Sequence, residues 1–447
     1  MILNRADNIM LGSQEVQKVC LGSQLIWERN KSFLLLDFIQ TTNRQYFNTG
    51  YFPNENTKIE CEVMLMDNYD GLELSQALFG CSGFYAQYST SGTHRIAFSF
   101  GGQDASSSKT LPYFQKIRLV LDSQALTWYD KNGTLIDSVS VRQGTFSTSG
   151  TPLWVGCRNN SGSVQNFGEF CLYSFKIYEN NQPVMNFVPA KRVSDGVSGM
   201  LNTVTNTFCP DLNNNGFLSS VFEDNYAVVA YVNSDGNLYL NTGHTHTANT
   251  RFAIDFIPSL SGVSSFVQLW GAEANIGGRW TANDWWCYTE NSALYVQRGR
   301  IESQQVSADL TQRMQITAEG LTAQFTFADE TTQTIQISGA SLLSGLLTMW
   351  LFKTHYDGNP PAGISQRFYS CQIYENNTLV RDFIPVERIS DNTLMLYDRV
   401  LKIAFLPKNG SFSTKVSNSS PTYRGGGGIA SHLLTKAPQY EIIKAES

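Results

Sequence analysis

Apolar and polar residues alternate with a period of two in several stretches of this chain. Residues 58–63 read KIECEV, and residues 251–256 read RFAIDF. Alternation of this kind is typical of β-strands that bury one face. Asn132-Gly133 follows Trp128-Tyr129 and precedes a second alternating stretch at 135–141, and Asn-Gly favours a tight hairpin because both residues tolerate positive φ. No amphipathic helix of ordinary length stands out, so the pattern predicts an all-β protein.

The chain also contains an internal duplication. IYENN at 177–181 returns at 373–377, an offset of 196 (373 − 177), and FVPAKRVSD at 187–195 returns as FIPVERISD at 383–391. Other matches have nearby offsets: Asn48-Thr49-Gly50 with Asn241-Thr242-Gly243 (193), Arg118, Leu126 and Thr127 with Arg313, Leu321 and Thr322 (195), and Trp154 with Trp350 (196). So small a drift indicates one fold present twice, with insertions confined to loops.

These matches define five segments. They are an N-terminal repeat segment at 1–31, a first sandwich at 32–220, a second sandwich at 221–412, a Gly/Ser-rich linker at 413–428, and a C-terminal tail at 429–447. Many short strands separated by turns, in units of this size, predict two-sheet β-sandwiches. The tail carries apolar pairs, which suggests docking in cis or in trans.

Two local features follow from the duplication. Cys371 takes the place of Phe175, which shares a face with Ile177 in an alternating run, so Cys371 is predicted to be a buried thiol. Arg192 with Asp195 recurs as Arg388 with Asp391, and this recurrence in both units favours a structural turn or ion pair.

Composition narrows the function classes. The 447 residues carry a net charge of −6 with no basic block, which argues against a nucleic-acid partner. The N-terminus lacks the apolar core of a secretion signal, and no apolar run is long enough to span a bilayer. We therefore expect synthesis in the cytoplasm and no membrane insertion. None of the eight cysteines forms a CxxC pair, so reduced thiols are expected, and no cofactor is implied.

An aromatic cluster in the second unit is a candidate glycan-binding site. The segment 279–288 reads RWTANDWWCY, and its tryptophans could stack on sugar rings while acidic and amide groups bind hydroxyls. The predicted site comprises Trp280, Asp284, Trp285, Trp286 and Tyr288. The alternative is that one or two of the tryptophans belong to the core.

His244 and His246 are weak metal-ligand candidates. Two residues apart on a strand, they would face the same side. A zinc-type site needs three or four ligands, so a pair of exposed histidines without a metal is the other interpretation.

Catalytic motifs do not stand out. Glu60-Cys61-Glu62 has the first spacing of the Glu-x-Asp-x-x-Glu strand motif of glycoside hydrolases but lacks the third carboxylate, and Asp255 has no acidic partner nearby. There is no Gly-x-Ser-x-Gly elbow, His-Glu-x-x-His pair or phosphate loop. We expect a protein that is not an enzyme.

The run 173–217 resembles the closing motif of concanavalin A-like, laminin-G-like domains of bacteriophage and gut-bacterial proteins. The matching residues are Ile177-Tyr178-Glu179-Asn180, Phe187-Val188-Pro189-Ala190 and Ser194-Asp195-Gly196. The second unit matches at Pro385, Arg388 and Asp391 and departs at Asn392, where the motif has glycine. The resemblance implies an all-β fold of two tandem concanavalin A/laminin-G-like jelly-roll sandwiches.

The N-terminus carries a short repeat of its own. Leu11-Gly12-Ser13-Gln14 returns as Leu21-Gly22-Ser23-Gln24, and this resembles the N-terminal segment of phage tail and fibre proteins. About thirty residues cannot bury their own apolar side chains. Leu11, Val16, Leu21 and Trp27 are therefore expected to contact a partner surface, on another chain or on the first sandwich.

Together these features predict a structural protein of a phage virion, of a fibre, decoration or receptor-binding type. Its expected partners are other virion proteins, sister copies (a trimer is one option) and host surface glycans, bound without chemistry. The alternatives are a spacer without a glycan site, and a carbohydrate-active enzyme or free lectin. Whether it would sit on the head or the tail stays open.

Overall fold

The structure is a computed structural model. It describes residues 9–11, 14–16, 18–21, 24–28, 32–42, 44–66, 75–89, 95–142, 144–146, 150–258, 267–273, 275–276, 279–280, 285–290, 293–298, 304–337, 347–356 and 365–413. For the strands before residue 32, and for 275–276 and 279–280, the description covers the backbone alone.

Each copy of the N-terminal repeat forms an antiparallel pair of strands. The four strands are β1 (Ile9–Leu11), β2 (Gln14–Val16), β3 (Lys18–Leu21) and β4 (Gln24–Glu28). Leu11 pairs with Gln14, and Leu21 pairs with Gln24. Each repeat is thus a hairpin rather than one strand and a turn. The four predicted attachment residues lie on these strands, but their side chains fall outside the described residues.

The chain divides into two compact units, Met1–Tyr226 and Ala227–Ser447. The boundary lies close to the one predicted from the duplication. In the sequence, a short helix, α1 (Phe222–Asn225), lies between the strands of the first sandwich and those of the second. In the described part of the chain, no helix has the length and hydrophobicity required to span a membrane.

The sandwich of unit 1 is built from two mainly antiparallel sheets. The larger has the order β15-β14-β13-β8-β19-β20-β21-β22, and the smaller has the order β12-β11-β10-β9-β16-β7. The strands of unit 1 are β5 (Phe33–Leu35), β6 (Ile39–Gln40), β7 (Phe47–Asn48), β8 (Thr57–Leu65), β9 (Ser75–Cys81), β10 (Phe84–Ser89), β11 (Ile96–Phe100), β12 (Gln103–Ser106), β13 (Lys116–Leu121), β14 (Ala125–Tyr129), β15 (Leu135–Ser140), β16 (Trp154–Val155), β17 (Arg158–Asn160), β18 (Ser163–Gln165), β19 (Phe170–Glu179), β20 (Gln182–Arg192), β21 (Ser198–Asn202), β22 (Thr207–Pro210) and β23 (Leu218–Ser219).

The two sheets of unit 1 enclose one apolar core. Phe79 of the smaller sheet meets Phe175 of the larger with ring centroids 5.4 Å apart, and Phe47 meets Phe187 at 5.4 Å. All four rings are buried. Unit 1 is therefore a β-sandwich, as the alternating pattern predicted.

Unit 2 repeats this arrangement. Its larger sheet has the order β36-β35-β34-β27-β39-β40-β41-β42, and its smaller sheet has the order β26-β37-β28-β31-β32-β33. The strands are β24 (Tyr226–Val228), β25 (Val232–Asn233), β26 (Leu240–Asn241), β27 (Thr250–Ile257), β28 (Val267–Glu273), β29 (Asn275–Ile276), β30 (Arg279–Trp280), β31 (Trp285–Glu290), β32 (Ala293–Arg298), β33 (Gln304–Ser307), β34 (Met314–Glu319), β35 (Thr322–Thr326), β36 (Thr332–Gln336), β37 (Trp350–Leu351), β38 (Thr354–Tyr356), β39 (Arg367–Glu375), β40 (Thr378–Arg388), β41 (Leu394–Asp398) and β42 (Ile403–Phe405).

The core of unit 2 confirms the buried thiol. Cys371 is fully buried and pairs with Ile254, as Phe175 pairs with Cys61 in unit 1. Burial raises the pKa of the Cys371 thiol well above its ordinary value. Trp270 occupies the position of Phe79 on the opposite sheet, since it pairs with Leu351 as Phe79 pairs with Val155. A larger ring on one sheet thus accompanies the smaller side chain on the other.

Strand pairing corrects one part of the internal alignment. Leu119 pairs with Cys61, and Ile316 pairs with Ile254. On β13 and β34 the true offset is therefore 197 (316 − 119), so Lys116 rather than Arg118 corresponds to Arg313. The error of two residues leaves every side chain on its predicted face, because strand faces repeat every two residues.

The second sandwich extends at its C-terminal end to Ser413. Its backbone exchanges two hydrogen bonds with Asn233, with N···O distances of 2.7 and 3.0 Å. Ser413, predicted as the first linker residue, thus belongs to the sandwich. The rest of the predicted linker and the whole tail lie outside the described residues.

Candidate functional site

The aromatic cluster predicted as a glycan platform lies largely inside unit 2. Trp285 is fully buried and packs against Trp270 and Phe252, with ring centroids 6.0 and 6.4 Å away. Trp286 and Tyr288 are 7% and 8% exposed. A platform for sugar rings needs exposed faces, so the prediction is wrong for these three residues. Alternation along β31 places Trp285 on the core face, so the alternative interpretation, that one or two of the tryptophans belong to the core, holds for Trp285.

Trp286 and Tyr288 instead form an aromatic stack on the other face of the smaller sheet. The rings of Trp286 and Tyr288 lie 4.6 Å apart, and Tyr288 stacks on Tyr295 at 4.7 Å. Trp280 lies on β30, for which the backbone alone is described, and Asp284 lies outside the described residues.

The two candidate metal-ligand histidines are not an exposed pair. His246 is fully buried, and its ring meets Trp285 edge-on at 5.5 Å. The Nε2 atom of His244 lies 3.5 Å from Glu375 Oε2 and 3.4 Å from Thr250 Oγ1. Burial, with a contribution from the Arg381 charge, lowers the pKa of His244 to about 4. Among the described residues, no group of three or more His, Cys, Asp and Glu side chains is placed to hold a metal ion.

The repeated Arg–Asp pairs are structural, as predicted. Arg192 Nη2 and Asp195 Oδ2 are 2.6 Å apart, and the Val197 N–H donates to Asp195 Oδ1 at 3.2 Å. Arg388 Nη2 and Asp391 Oδ2 form the same contact at 2.5 Å. Each pair fixes the turn after a long strand.

A site that the sequence did not single out lies on the outer face of the larger sheet of unit 2. Phe252 and Ile254 of β27 point into the core. The residues that alternate with them, Arg251, Ala253 and Asp255, therefore face outward, together with their neighbours on β34 and β39. The strand register gives three rows: Glu319, Arg251 and Tyr374; then Thr317, Ala253 and Gln372; then Gln315, Asp255 and Ser370.

These residues form an open depression. All of them except Glu319 line a cavity of about 360 Å³, which is within the size range of small-ligand sites, about 300–1,000 Å³. Its centre is Ala253, whose methyl group leaves room between the longer side chains around it. We refer to it as the Ala253 depression.

Hydrogen bonds fix the polar groups on one side of the Ala253 depression. Asp255 accepts two bonds from Arg313, Nε to Oδ1 and Nη2 to Oδ2, both 2.8 Å, and a third from Gln315 Nε2 at 3.0 Å. The Arg313 guanidinium in turn lies 3.8 Å from the centre of the Tyr369 ring. A bidentate pair of this kind holds the carboxylate in one orientation.

A second chain of bonds fixes the other side. Tyr374 OH donates to Gln372 Oε1 at 3.0 Å, and Gln372 Nε2 donates to Asp382 Oδ1 at 3.3 Å. Asp382 also accepts a bond from Arg399 Nε at 2.7 Å. The site therefore presents amide, hydroxyl and carboxylate groups whose positions are set before any ligand arrives.

The same face of unit 1 is filled. The position of Ala253 is taken there by Glu60, which lies between Val120 and Lys176 on the neighbouring strands. Arg118 Nη1 lies 3.5 Å from Glu60 Oε1, and Lys116 Nζ lies 2.6 Å from Glu62 Oε2. Long charged side chains occupy the space that is open in unit 2. The sequence signal that would have located the site is the replacement of Glu60 in KIECEV by Ala253 in RFAIDF.

Unit 1 has a different depression, of about 500 Å³, between its loops. Phe52, Phe84 and Phe146 and several glycines line it. Asn54, which also lines it, already donates a hydrogen bond from Nδ2 to Glu179 Oε1 at 2.7 Å. Although this depression is larger, its walls are mostly rings and backbone, so it offers fewer oriented polar side chains than the Ala253 depression.

No protein-family model matches the chain, and the comparison with curated proteins gives no match. Among solved structures, the chain is similar to laminin G domains 4 and 5 of the mouse laminin alpha1 chain, with 8% identity and a TM-score of 0.26, covering 80% of this chain and 94% of that one. Domains 1 to 3 of the laminin alpha2 chain match with 9% identity and a TM-score of 0.30, over 84% of this chain and 65% of that one. A mutant Trypanosoma rangeli sialidase displaying trans-sialidase activity matches with 9% identity and a TM-score of 0.26, over 67% and 59%.

At this level of identity and overlap, these matches carry no information about ligand, activity or partner. The sheets and cores described above establish the architecture on their own. The prediction of an all-β chain with two tandem two-sheet sandwiches is confirmed.

Proposed function

We propose that this protein is a non-catalytic glycan-binding protein and that the Ala253 depression of unit 2 holds the sugar. The observation that carries the proposal is the opening at Ala253, surrounded by amide, hydroxyl and carboxylate groups already fixed by hydrogen bonds. Sugars are recognised through their hydroxyls, which donate and accept hydrogen bonds in well-defined directions. Groups held in place before binding lose little conformational entropy when the sugar arrives.

The lining of the depression favours binding over catalysis. A glycoside hydrolase of the common type needs two carboxyl groups about 5–9 Å apart across the bond to be cleaved. Of the described residues that line the depression, Asp255 is the one carboxylate, and both of its oxygens are engaged by Arg313. A lining whose one described carboxylate is already held by hydrogen bonds lacks the second carboxyl group that this mechanism requires.

Unit 1 is proposed to act as a spacer, with no glycan site on its larger sheet. Its equivalent face is closed by Glu60 and the ion pair between Lys116 and Glu62. A chain with one open and one closed copy of the same face suits a protein that presents a single weak site many times in an assembly, where multivalency raises the effective affinity.

The proposed setting is a phage virion, with the protein as a fibre, decoration or receptor-binding component made in the host cytoplasm. This part rests on the resemblance of the N-terminal repeat to phage tail and fibre proteins. The two hairpins that the repeat forms are too small to be stable alone, so they are proposed to dock on another virion protein or a sister copy.

Two experiments test these proposals. In the first, the full chain is applied to a glycan array beside two variants. Ala253→Glu places the unit 1 residue at the centre of the depression, and Gln324→Glu is a control on the same outer face, two strands away from Ala253. We expect wild type and Gln324→Glu to bind the same glycans and Ala253→Glu to lose them. Equal binding by all three proteins would refute the site.

The second experiment is immunogold labelling of purified phage particles with an antibody to residues 32–412. Label on the capsid or the tail is the expected result and would locate the protein. Particles that carry no label would refute the virion role.

A further inference from the structure

Two arginines near the Ala253 depression, Arg313 and Arg399, are each paired with a carboxylate. Arg313 is paired with Asp255 through two bonds of 2.8 Å. Arg399, on the far side of Gln372, is paired with Asp382, Nη2 to Oδ2 at 2.7 Å. Both of these cations are therefore neutralised by a carboxylate in the sheet and have little charge to offer a ligand.

Arg251 differs from them. It lines the depression, yet no carboxylate of a described residue lies within 4.0 Å of its guanidinium. Glu319 stands opposite it on β34, but the Glu319 side chain is exposed and forms no ion pair with it. The Nε atom of Arg251 is buried and makes no hydrogen bond within the described structure.

The orientation of Arg251 is nevertheless fixed. Its guanidinium carbon lies 3.9 Å from the centre of the Tyr374 ring, a cation–π contact. The guanidinium is planar by resonance, and the ring contact holds that plane in place. A planar fork of N–H donors matches the two oxygens of a carboxylate. Gln372, which accepts a hydrogen bond from the Tyr374 hydroxyl, lies beside this pair.

From this arrangement we infer that the Ala253 depression selects acidic glycans, and that Arg251 binds a sugar carboxylate through paired N–H···O bonds. The inference rests on the proposed glycan-binding function and adds the class of sugar, one that carries a carboxyl group such as a uronic acid. The amides of Gln315 and Gln372 would bind the hydroxyls of the same ring.

The test uses an array of acidic oligosaccharides printed beside the same oligosaccharides after reduction of their carboxyl groups to alcohols, together with sulfated and neutral glycans. Wild type is expected to bind carboxylated glycans at least about tenfold more tightly than their reduced forms, since a hydrogen bond to a charged group is worth at least that much. Arg251→Gln should lose this preference.

Lys58→Gln is the matched control. Lys58 is the unit 1 residue at the same position, and its Nζ lies 5.2 Å from the centre of the Tyr178 ring. This variant removes one positive charge from the chain but should leave the preference intact. Circular dichroism of all variants verifies that they are folded.

The outcomes separate the two proposals. Equal binding of carboxylated and reduced glycans, or binding restricted to sulfated or neutral ones, would overturn the selection by Arg251 and leave the glycan site standing. Failure of the wild-type protein to bind any glycan would refute the proposed function and this inference with it.

Discussion

Replacing Arg381 by methionine should destabilise unit 2 by about 3–5 kcal/mol, because the change would leave a buried carboxylate without its counter-charge. The Arg381 side chain is 10% exposed and that of Asp398 is fully buried, and Arg381 Nε lies 3.6 Å from Asp398 Oδ2. Arg381 Nε also donates to the Thr242 carbonyl at 2.8 Å. Burial raises the pKa of Asp398 and lowers that of Arg381.

In unit 1, uncharged residues occupy the positions of Arg381 and Asp398. Strand pairing puts Asn202 at the position of Asp398 and Met185 at that of Arg381. Asn202 Oδ1 accepts the backbone N–H groups of Asn186 and Val204 at 3.2 and 3.1 Å. Asp398 Oδ1 accepts the equivalent groups, those of Asp382 and Val400, at 3.0 and 2.9 Å.

This correspondence defines a double-mutant cycle. Asp398→Asn alone keeps the backbone hydrogen bonds but leaves the Arg381 charge buried, so it should also cost about 3 kcal/mol or more. The double variant Arg381→Met/Asp398→Asn recreates the unit 1 solution and should lie within about 1 kcal/mol of wild type. The coupling energy should therefore be at least about 3 kcal/mol.

Guanidinium denaturation followed by tryptophan fluorescence measures these values. Unit 2 dominates the signal because it holds five of the eight tryptophans: Trp270, Trp280, Trp285, Trp286 and Trp350. The cost of Arg381→Met should shrink in acid, because the raised pKa of Asp398 means that the protonated carboxyl is tolerated in the folded unit. Single variants that cost less than about 1 kcal/mol, or costs that add within about 0.5 kcal/mol, would refute the reasoning.

Other predictions concern the core and the acid stability of unit 2. Because the pKa of His244 is lowered from 6.5 to about 4, protonation favours the unfolded chain. Stability should be full above pH 6.5 and fall by up to about 3 kcal/mol toward pH 4, and His244→Tyr, the residue of unit 1, should remove this slope in an acid titration of the unfolding free energy. Cys371→Phe should cost about 1–3 kcal/mol by overpacking, partly restored by Trp270→Phe, and full stability of the single variant would contradict the packing described. Gly271→Ala should cost at least about 2 kcal/mol in thermal melts, because the glycine has φ +136° and an added Cβ would lie 2.4 Å from the Trp285 carbonyl oxygen; an unchanged melting temperature would contradict this.

The sequence predicted the architecture well, because strand alternation and the duplication are local signals that reinforce each other. The hairpin at Asn132-Gly133 joins β14 to β15, with positive φ at Gly133 (+82°) but not at Asn132. Cys371 is buried as its register required. These features depend on backbone preferences and on a period of two, both of which a single chain reveals.

The functional site was less accessible. In a strand such as β31, both faces carry apolar residues, so the sequence alone cannot tell whether Trp285 or Trp286 points into the core. His244 is held by Glu375 and Thr250, contacts that depend on strands far apart in sequence. Ala253 is a small residue with no chemistry of its own, and its importance becomes visible when the strands on either side are in place.

The most direct test of the account is a calorimetric titration of the full chain with the glycan that binds most tightly on the array. The account predicts about one binding site per chain for wild type and for Gln324→Glu, and no measurable heat of binding for Ala253→Glu. Unchanged binding by Ala253→Glu would contradict the central claim and direct attention to the other depression, at Phe52 in unit 1.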